Sequence, residues 1–209
     1  MNRITIHAAA VALVAIMTTP AWAQLANGGF ESPITTDGPP YVGSWEAFNG
    51  GAGALAANSN NVPRSGNAHL LLSINSSDNN FAGVFQDVPN LTAGSAVTFS
   101  GFHMTPTSPL GLGVETRIEW RNSASNTEIS RTPNLTPVPT GQYTAFTLNS
   151  TVPAGADTAR VVYAIQTFGP EPTNTGTVYV DDVSFVPEPG TALVMGAAGL
   201  LLAMRRRRT

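Results

Sequence analysis

Residues 114–121 read Val-Glu-Thr-Arg-Ile-Glu-Trp-Arg, and this alternation of apolar and charged side chains decides the fold class. Successive side chains of an extended strand point to opposite faces. One face therefore carries Val114, Thr116, Ile118 and Trp120. The other face carries two glutamates and two arginines, which suit a polar surface or pairs across strands. The pattern predicts a β-strand with its apolar face, including Trp120, in a core.

The same pattern recurs between residues 24 and 186, interrupted by clusters of Gly, Pro, Asn and Ser. No window of ten or more residues shows a convincing helical period of 3.6. The predicted strands are residues 68–74, 82–88, 96–103, 113–121, 144–151, 160–166 and 177–186, with short strands near 28–31 and at 128–131. Residues 49–61 and 132–140 are interpreted as loops. Many short strands with frequent turn signals predict an all-β antiparallel sandwich.

The N-terminus has the features of a secretory signal peptide. A positive charge near the start is followed by an uncharged apolar run at residues 8–17 and by Ala-Trp-Ala at 21–23. Small residues at these positions suit signal peptidase, which predicts cleavage between Ala23 and Gln24. An uncleaved anchor is the alternative, but about ten apolar residues are too few to cross a hydrocarbon core of about 30 Å. We therefore expect an exported chain that loses residues 1–23.

Composition limits the remaining segment, residues 24–186. It has no cysteine, so disulfides contribute nothing to its stability. Its length of about 163 residues suits one domain with its own core. It contains five arginines, twelve acidic residues and no lysine, a net charge of −7. This charge repels phosphate backbones, which disfavours nucleic acid as a partner and is compatible with cation binding.

The last segment, residues 187–209, has three parts in a fixed order. Pro187-Glu188-Pro189 interrupts regular structure, residues 191–204 form an uncharged apolar run, and a basic cluster follows. The cluster consists of Arg205, Arg206, Arg207 and Arg208. An apolar helix followed by arginines halts in the membrane with its basic end in the cytoplasm. At 1.5 Å per residue the run covers about 21 Å, a marginal span that suits a transient anchor. A buried or amphipathic terminal helix is the alternative.

This three-part tail resembles the PEP-CTERM sorting signal. The resemblance implies processing by an exosortase-like enzyme at or near Pro-Glu-Pro, in a Gram-negative bacterium that makes exopolysaccharide and biofilm matrix. It implies transient insertion into the inner membrane, followed by a place at the cell surface or in the extracellular matrix. The expected processing partners are signal peptidase and the sorting enzyme.

A second resemblance spans nearly all of residues 24–186. Six local signatures occur in order: Leu25-Ala-Asn-Gly-Gly-Phe-Glu31, Trp45, Ser65-Gly-Asn-Ala-His-Leu70, Gly83-Val-Phe-Gln-Asp-Val88, Leu91-Thr-Ala-Gly94 and Thr177-Val-Tyr-Val-Asp-Asp-Val-Ser-Phe185. Together they look like the galactose-binding-like jelly roll, and within it the carbohydrate-binding modules of families 4, 9 and 22. The resemblance implies an antiparallel jelly-roll β-sandwich, preceded by the signal peptide and followed by the apolar helix of the tail.

The same resemblance implies a structural calcium ion between the N-terminal segment and the last strand, and no other cofactor. Calcium takes carboxylate and carbonyl oxygens, and the matching positions are Glu31, the turn at Gly66, and Asp181 with Asp182. Adjacent strand residues point to opposite faces, so at most one aspartate is expected as a primary ligand. The resemblance favours Asp181, with Asp182 second. The alternative is that these carboxylates are strand-end groups bonded to turn amides.

A glycan site needs aromatic rings that stack on sugar faces. Tyr41, Trp45 and Phe48 lie in a loop-like stretch and are the candidate ligand-binding residues. Trp45 also matches a packing tryptophan of the family, so a place in the core is its alternative.

Catalytic machinery is not evident in the sequence. Glu115 and Glu119 share a strand face, but four residues separate them by roughly 13 Å, beyond the 5–10 Å of glycoside hydrolases. His69 and His103 lie in strand-like runs without a nucleophile motif, and no G-x-S-x-G, HExxH or phosphate loop occurs. We therefore expect a non-catalytic protein that binds or organises exopolysaccharide. The alternative is a structural or adhesive matrix protein that acts through protein–protein contacts without a sugar site.

Overall fold

The alternating segments of the sequence form strands in the computed structural model, which describes residues 25–39, 41, 44–76, 79–167 and 174–187. Ten strands and no helix occur within these ranges. The strands are β1 (Glu46–Asn49), β2 (Ala54–Ser59), β3 (His69–Asn75), β4 (Phe81–Val88), β5 (Ala96–Met104), β6 (Gly113–Asn122), β7 (Thr127–Arg131), β8 (Thr144–Thr151), β9 (Thr158–Gln166) and β10 (Thr175–Pro187). In this part of the chain nothing helical is long and apolar enough to span a membrane.

The strands form two antiparallel sheets of five strands each. Sheet A has the order β1-β4-β9-β6-β7, and sheet B has the order β2-β3-β10-β5-β8. Strands that follow each other in sequence, such as β3 and β4 or β5 and β6, lie in different sheets. The chain therefore crosses repeatedly between the two layers, as in a jelly roll. The all-β antiparallel sandwich expected from the sequence is confirmed.

The core lies between the inner faces of the two sheets. The apolar face of β6 is buried as its alternation predicts, with all four residues at most 3% exposed. From sheet B, strand β3 contributes Leu70, Leu72 and Ile74, and β10 contributes Val178, Val180 and Phe185. Burial of apolar surface stabilises by about 25 cal/mol per Å², and this term carries the fold in a chain without cysteine.

One predicted strand is wrong. Residues 28–31 form a turn, in which the N–H of Phe30 donates to the carbonyl of Asn27 at 3.0 Å. Both residues have a φ of 54°, a left-handed conformation that an extended strand excludes. The Asn-Gly-Gly sequence at 27–29 favours such a turn, since asparagine and glycine tolerate positive φ.

Two strands were missed: β2, inside the predicted loop at 49–61, and β1, which begins in the loop-like stretch before it. β1 pairs with β4, and β2 pairs with β3 through six consecutive residue pairs. The alanine, asparagine and serine of β2 have weak β-propensity and no clear alternation. Pairing with an already specified neighbour decides their conformation, because β-propensity depends strongly on tertiary context.

A core truncation should test the sandwich. Leu72→Ala removes a fully buried side chain, whereas Leu55 in β2 is 48% exposed. We expect Leu72→Ala to lower the free energy of unfolding by 2–5 kcal/mol, as cavity-forming substitutions do, and Leu55→Ala to lower it by less than about 1 kcal/mol. Chemical denaturation of both variants provides the measurement. Similar losses at the two positions would contradict the assigned faces.

A buried histidine should make the fold sensitive to acid. Nδ1 of His103 lies 2.7 Å from the hydroxyl of Tyr163, and burial lowers the pKa of His103 to about 4. Between pH 6.5 and 4 the unfolded chain binds a proton that the folded chain does not, so the free energy of unfolding falls as pH decreases through this window. The full effect is about 3 kcal/mol.

We expect the unfolding free energy of His103→Phe to fall by about 3 kcal/mol less than that of the wild type between pH 6.5 and 4, because the variant lacks this proton uptake. Above about pH 7.5 the pH dependence of variant and wild type should agree, because His103 is then largely neutral in both the folded and unfolded states. The measurement is denaturant unfolding at a series of pH values, and identical slopes throughout would reject the assignment.

Candidate functional site

The outer face of sheet A carries a cluster of aromatic rings, which we call the aromatic strip: Tyr41, Phe48, Phe81 and Phe85. Phe81 and Phe85 flank Gly83 at alternate positions of β4, so they share one face. Phe48 of β1 stands opposite Gly83 in the register. Its ring lies across Gly83, where a Cβ would overlap the ring. Glycine at 83 thus lets the ring of Phe48 lie between those of Phe81 and Phe85.

The four rings are contiguous. The centroid of Phe48 lies 6.1 Å from that of Phe81 and 6.3 Å from that of Phe85. Tyr41 meets Phe85 edge to face at 5.0 Å. Phe81 is 42% exposed and Tyr41 38%. A single exposed aromatic residue is ordinary, but adjoining rings on one open face are typical of a binding surface.

Arg160 of β9 fixes one end of the strip. Its Cζ lies 4.0 Å from the ring centroid of Phe85 and 5.2 Å from that of Tyr41. Its guanidinium donates to both carboxylate oxygens of Asp87 at 2.7 and 2.9 Å. The cation–π contacts and the bidentate ion pair hold the rings and the polar groups in one arrangement.

A pocket of about 550 Å³ opens at this end of the strip. Its walls combine two aromatic rings with carboxylate and amide groups: Tyr41, Phe85, Glu46, Gln86, Asp87 and Asn126. The carboxylate of Glu46 accepts hydrogen bonds from the backbone N–H groups of Asp37 (3.3 Å) and Gly38 (2.9 Å). These bonds position the loop that brings Tyr41 to the pocket.

The far side of the same face carries ion pairs. Gly83 of β4 pairs with Ala164 of β9, and Ala164 pairs on its other side with Glu115 of β6. Arg117 contacts Glu115 and lies 2.8 Å from the carboxylate of Glu119. Arg131 of β7 then links Glu119, at 3.9 Å, to Glu128, at 2.6 Å. The face therefore has an aromatic half and a charged half, with small side chains between them.

The separation expected between Glu115 and Glu119 is corrected by these contacts. The strand spacing of about 13 Å applies to the backbone. Both side chains lean toward Arg117 and contact the same guanidinium. An acid–base pair for glycoside hydrolysis requires one carboxyl group to carry a proton, whereas both groups here act as ion-pair acceptors.

Of the three aromatic residues proposed from the sequence, Tyr41 and Phe48 belong to the strip and Trp45 does not. Trp45 is 1% exposed, its ring lies 5.2 Å from that of Phe30, and its Nε1 donates to the carbonyl of Asn27 at 3.0 Å. It packs in the core, which was its alternative. Phe81 and Phe85 were not among the predicted residues, although the sequence Phe-Ala-Gly-Val-Phe at 81–85 places two rings on one strand face with a glycine between them.

The residues suggested for calcium are only partly brought together. Asp181 is fully buried, and its carboxylate accepts hydrogen bonds from the backbone N–H groups of Arg64 (2.8 Å), Ser65 (3.1 Å) and Asp182 (2.7 Å). Burial raises the pKa of Asp181, and these three donors oppose the shift. The carboxylate is thus held in a turn of backbone amides, as the alternative for these residues expected.

Glu31 faces the same space as Asp181. It accepts hydrogen bonds from the backbone N–H groups of Asn67 (2.9 Å) and Ala68 (3.3 Å), and Gly66, with a φ of 62°, leaves room for its carboxylate. The Oε1 of Glu31 and the Oδ1 of Asp181 lie 4.0 and 3.9 Å from the position that a Cβ on Gly29 would take. Carboxylate oxygens such as these are among the donors that calcium takes.

Asp182 points away from that space. It lies in a β-bulge of β10 with a φ of 48°, pairs with the guanidinium of Arg64 and accepts a bond from the hydroxyl of Ser65 at 2.6 Å. Among the residues that the structure describes, no three His, Cys, Asp or Glu side chains group as a metal site. A cation here would therefore need carbonyl oxygens to complete its shell.

The residues assigned to sorting lie almost entirely outside the described ranges. These are Ala23, Gln24, Glu188, Pro189 and Arg205 to Arg208. Pro187 is described, as the last residue of β10, opposite Val97 of β5.

Comparison with known proteins identifies the architecture. No protein-family model and no curated protein matches the chain. The module TmCBM61, solved in complex with beta-1,4-galactotriose, matches with a TM-score of 0.51 and 13% identity, over 78% of this chain and 97% of that chain. A family 4 carbohydrate-binding module matches with a TM-score of 0.51 and 20% identity, over 78% and 99%. The fold is that of carbohydrate-binding modules.

The fold also occurs within larger proteins. The enzymatically active domain of tailspike protein 4 from bacteriophage CBA120 matches with a TM-score of 0.58 and 15% identity, over 80% of this chain. This chain spans 21% of that tailspike domain. At such identities the likeness shows the carbohydrate-binding-module fold and nothing about activity.

Proposed function

We propose that this chain is an exported, non-catalytic carbohydrate-binding protein that uses the aromatic strip as its sugar platform. The observation that carries the proposal is the contiguous set of four rings on the outer face of sheet A. Pyranose rings present apolar C–H faces, which pack on aromatic rings, and hydroxyl groups at their edges. Aromatic side chains supply large apolar contact areas with few rotatable bonds, so little entropy is lost on binding.

Polar groups for the sugar hydroxyls stand beside the rings. Asp87 and Glu46 line the pocket next to Tyr41 and Phe85, and Arg160 lies against both rings. Because the ion pair of Asp87 and Arg160 exists before a ligand arrives, these groups need no ordering on binding. Two aromatic rings surrounded by polar side chains suit a ligand with both apolar faces and hydroxyl groups, such as a sugar.

The absence of catalysis is part of the proposal. Both candidate carboxylates of β6 are engaged by Arg117, and both histidines of the body are buried and bonded. The two carboxylates beside the aromatic strip are engaged as well, because Asp87 pairs with Arg160 and Glu46 accepts hydrogen bonds from backbone N–H groups. We therefore propose that this face binds a sugar without hydrolysing it.

We further propose that the ligand is an extracellular polysaccharide. The support is the combination of a signal peptide at residues 1–23 with the tail at 187–209 that resembles PEP-CTERM. Signal peptidase and an exosortase-like enzyme would deliver the body, after transient insertion into the inner membrane, to the cell surface or the matrix of a Gram-negative bacterium. There the body would bind or organise exopolysaccharide. An exposed aromatic patch also suits a protein partner, which is the structural or adhesive alternative, and sugar binding is what separates the two.

Substitutions in the strip should test sugar binding. We expect the full chain to be retarded in native gels that contain a matrix polysaccharide. Phe81→Ala and Phe85→Ala should each weaken binding about tenfold or more, because removal of an aromatic anchor from an interface costs above 1 kcal/mol. Leu55→Ala removes an exposed apolar side chain from sheet B and should bind as wild type does.

Two results would contradict this proposal. One is no retardation of the wild type by any matrix polymer, which would favour the structural or adhesive alternative. The other is retardation of Phe81→Ala and Phe85→Ala equal to that of the wild type, which would place the sugar elsewhere.

We also propose that Glu31 and Asp181 hold a structural calcium ion, with backbone carbonyls of the turns around them. The ion would link the N-terminal segment to β10 and to the turn at Gly66. Asp182 takes no part, because its carboxylate is bonded to Arg64 and Ser65.

Melting experiments decide the calcium proposal. A cation that binds only the folded state at 100 times its dissociation constant stabilises by about 2.7 kcal/mol, or roughly 5–10 °C in a domain of this size. We expect calcium to raise the melting temperature of the wild type and of Asp182→Asn relative to chelator, and to have little effect on Glu31→Gln. Equal melting temperatures of the wild type in calcium and in chelator would reject the site.

A further inference from the structure

Strand β8 forms one edge of sheet B and pairs only with β5. Its sequence, Thr-Ala-Phe-Thr-Leu-Asn-Ser-Thr, is eight residues long without a charge or a proline. The register with β5 is continuous over all eight residues, with no bulge. Long, regular, uncharged edge strands are templates for pairing with another strand, and most proteins avoid them.

The other three edges are protected in ways that β8 is not. Thr35 covers the open side of β1. Its backbone N–H donates to the carbonyl of Trp45 at 2.8 Å, and its carbonyl accepts from the N–H of Ala47 at 2.7 Å. The side chain of Asn58 holds the segment around residues 30–34 beside β2. Edge strand β7 is short, carries Glu128 and Arg131, and pairs with β6 through a bulge. Charges, bulges and covering segments are recognised protections of sheet edges.

The unpaired backbone groups of β8 can be identified. Val152, which follows β8, donates its N–H to the carbonyl of Ser95, the residue opposite it in the extended register. Hydrogen-bonded and non-hydrogen-bonded pairs alternate in an antiparallel ladder. Every second residue back from 152 therefore bonds to β5. The residues between them direct both N–H and C=O to the open edge: Ala145, Thr147, Asn149 and Thr151. Within the described ranges no hydrogen bond reaches these groups.

We propose that β8 pairs with β8 of a second copy of this chain, antiparallel and about a two-fold axis, so that the two B sheets become one continuous sheet. In an antiparallel pair of strands, the side chains of two residues that face each other lie on the same side of the sheet. The two-fold axis must therefore pass between the two copies of one residue, which faces itself across the pair. Centring on Thr147 makes three hydrogen-bonded residue pairs, with roughly six backbone hydrogen bonds.

This register is chemically self-complementary. Phe146 faces Leu148 of the other copy on the core side, where both side chains alternate inward in the monomer. On the outer side Thr147 faces its own symmetry mate, and Ala145 faces Asn149. Apolar pairs and threonine pairs are among the favourable cross-strand neighbours.

Charge also favours a second copy. The body carries a net charge of −7, which opposes association of two copies through most of its surface. Residues 132–156, which contain β8, have no charged side chain, and residues 88–114, which contain β5, have none except the histidine at 103. This side of sheet B is where two acidic copies meet with least repulsion. A single strand pair buries less than the about 1,200 Å² of stable interfaces, so association should be weak and depend on concentration.

The test uses sedimentation velocity of the full chain over a range of concentrations. We expect a reversible monomer–dimer equilibrium for the wild type. Thr147→Lys and Thr147→Glu should each weaken it at least tenfold, because like charges then stand directly opposite each other. An equimolar mixture of the two variants should dimerise again, because the introduced lysine of one copy would then face the introduced glutamate of the other. Thr127→Lys, at an exposed position of edge strand β7, is the matched control and should dimerise as the wild type does.

Each contrary outcome counts against the proposal. A wild type that is monomeric at all concentrations excludes the β8 pair. Dimers of Thr147→Lys as strong as those of the wild type place the interface elsewhere, the tail included, since all variants share it. A mixture that stays monomeric excludes the register centred on Thr147, while its recovery would also show that both variants fold.

Discussion

Because side chains alternate between the two faces of a strand, the residues that pack in the core also determine which residues face outward. In β4, Ala82 and Val84 face inward and are fully buried, while Phe81, Gly83 and Phe85 face outward. A slip of one residue in the pairing of β4 with β9 would move the rings into the core and the valine out. The packing of the core therefore specifies the register, and the register places the three phenylalanine rings of the aromatic strip. Tyr41 lies outside the strands, in the loop that Glu46 binds.

The alternation that decided the fold class was readable because both faces of β6 are chemically distinct. Most strands could be predicted for the same reason, with ends within two residues of those observed. β2 could not, since its alanines and asparagine acquire their conformation from pairing with β3. The turn at 27–30 shows the opposite case, in which local asparagine and glycine chemistry overrides a short apolar signature.

The candidate site was less predictable than the fold, because it depends on side-chain directions. Trp45 and Phe48 are three residues apart and point to opposite faces, one into the core and the other outward, as extended backbone requires. This was not foreseen because the stretch was interpreted as loop-like. Glu115 and Glu119 are distant along the strand, but both reach Arg117. Sequence spacing fixes where the backbone lies. Contacts among long side chains then change the distances that matter for chemistry by several ångströms.

Two carboxylates, the buried Asp181 and the exposed Glu31, connect distant segments of this cysteine-free chain through hydrogen bonds. Asp181 binds the backbone at residues 64 and 65, and Glu31 binds it at 67 and 68. One short turn thus joins the N-terminal segment to β10, which is more than a hundred residues away in sequence. The desolvation of Asp181 offsets part of what its hydrogen bonds contribute, and the bonds of the exposed Glu31 compete with water, so the value of this connection is geometric more than energetic.

Dimerisation at the β8 edge of sheet B would affect how the aromatic strip on sheet A binds a polymer. The β8 edge belongs to sheet B, and the aromatic strip lies on the outer face of sheet A. Dimerisation through β8 would therefore leave both strips open to a ligand. A dimer would carry two strips, and two sites on one polymer raise the apparent affinity by making the second binding step intramolecular. When the two strips engage different polymer chains, the same dimer links them. Weak pairing at β8 would then suffice, because the polymer itself holds the copies at high local concentration.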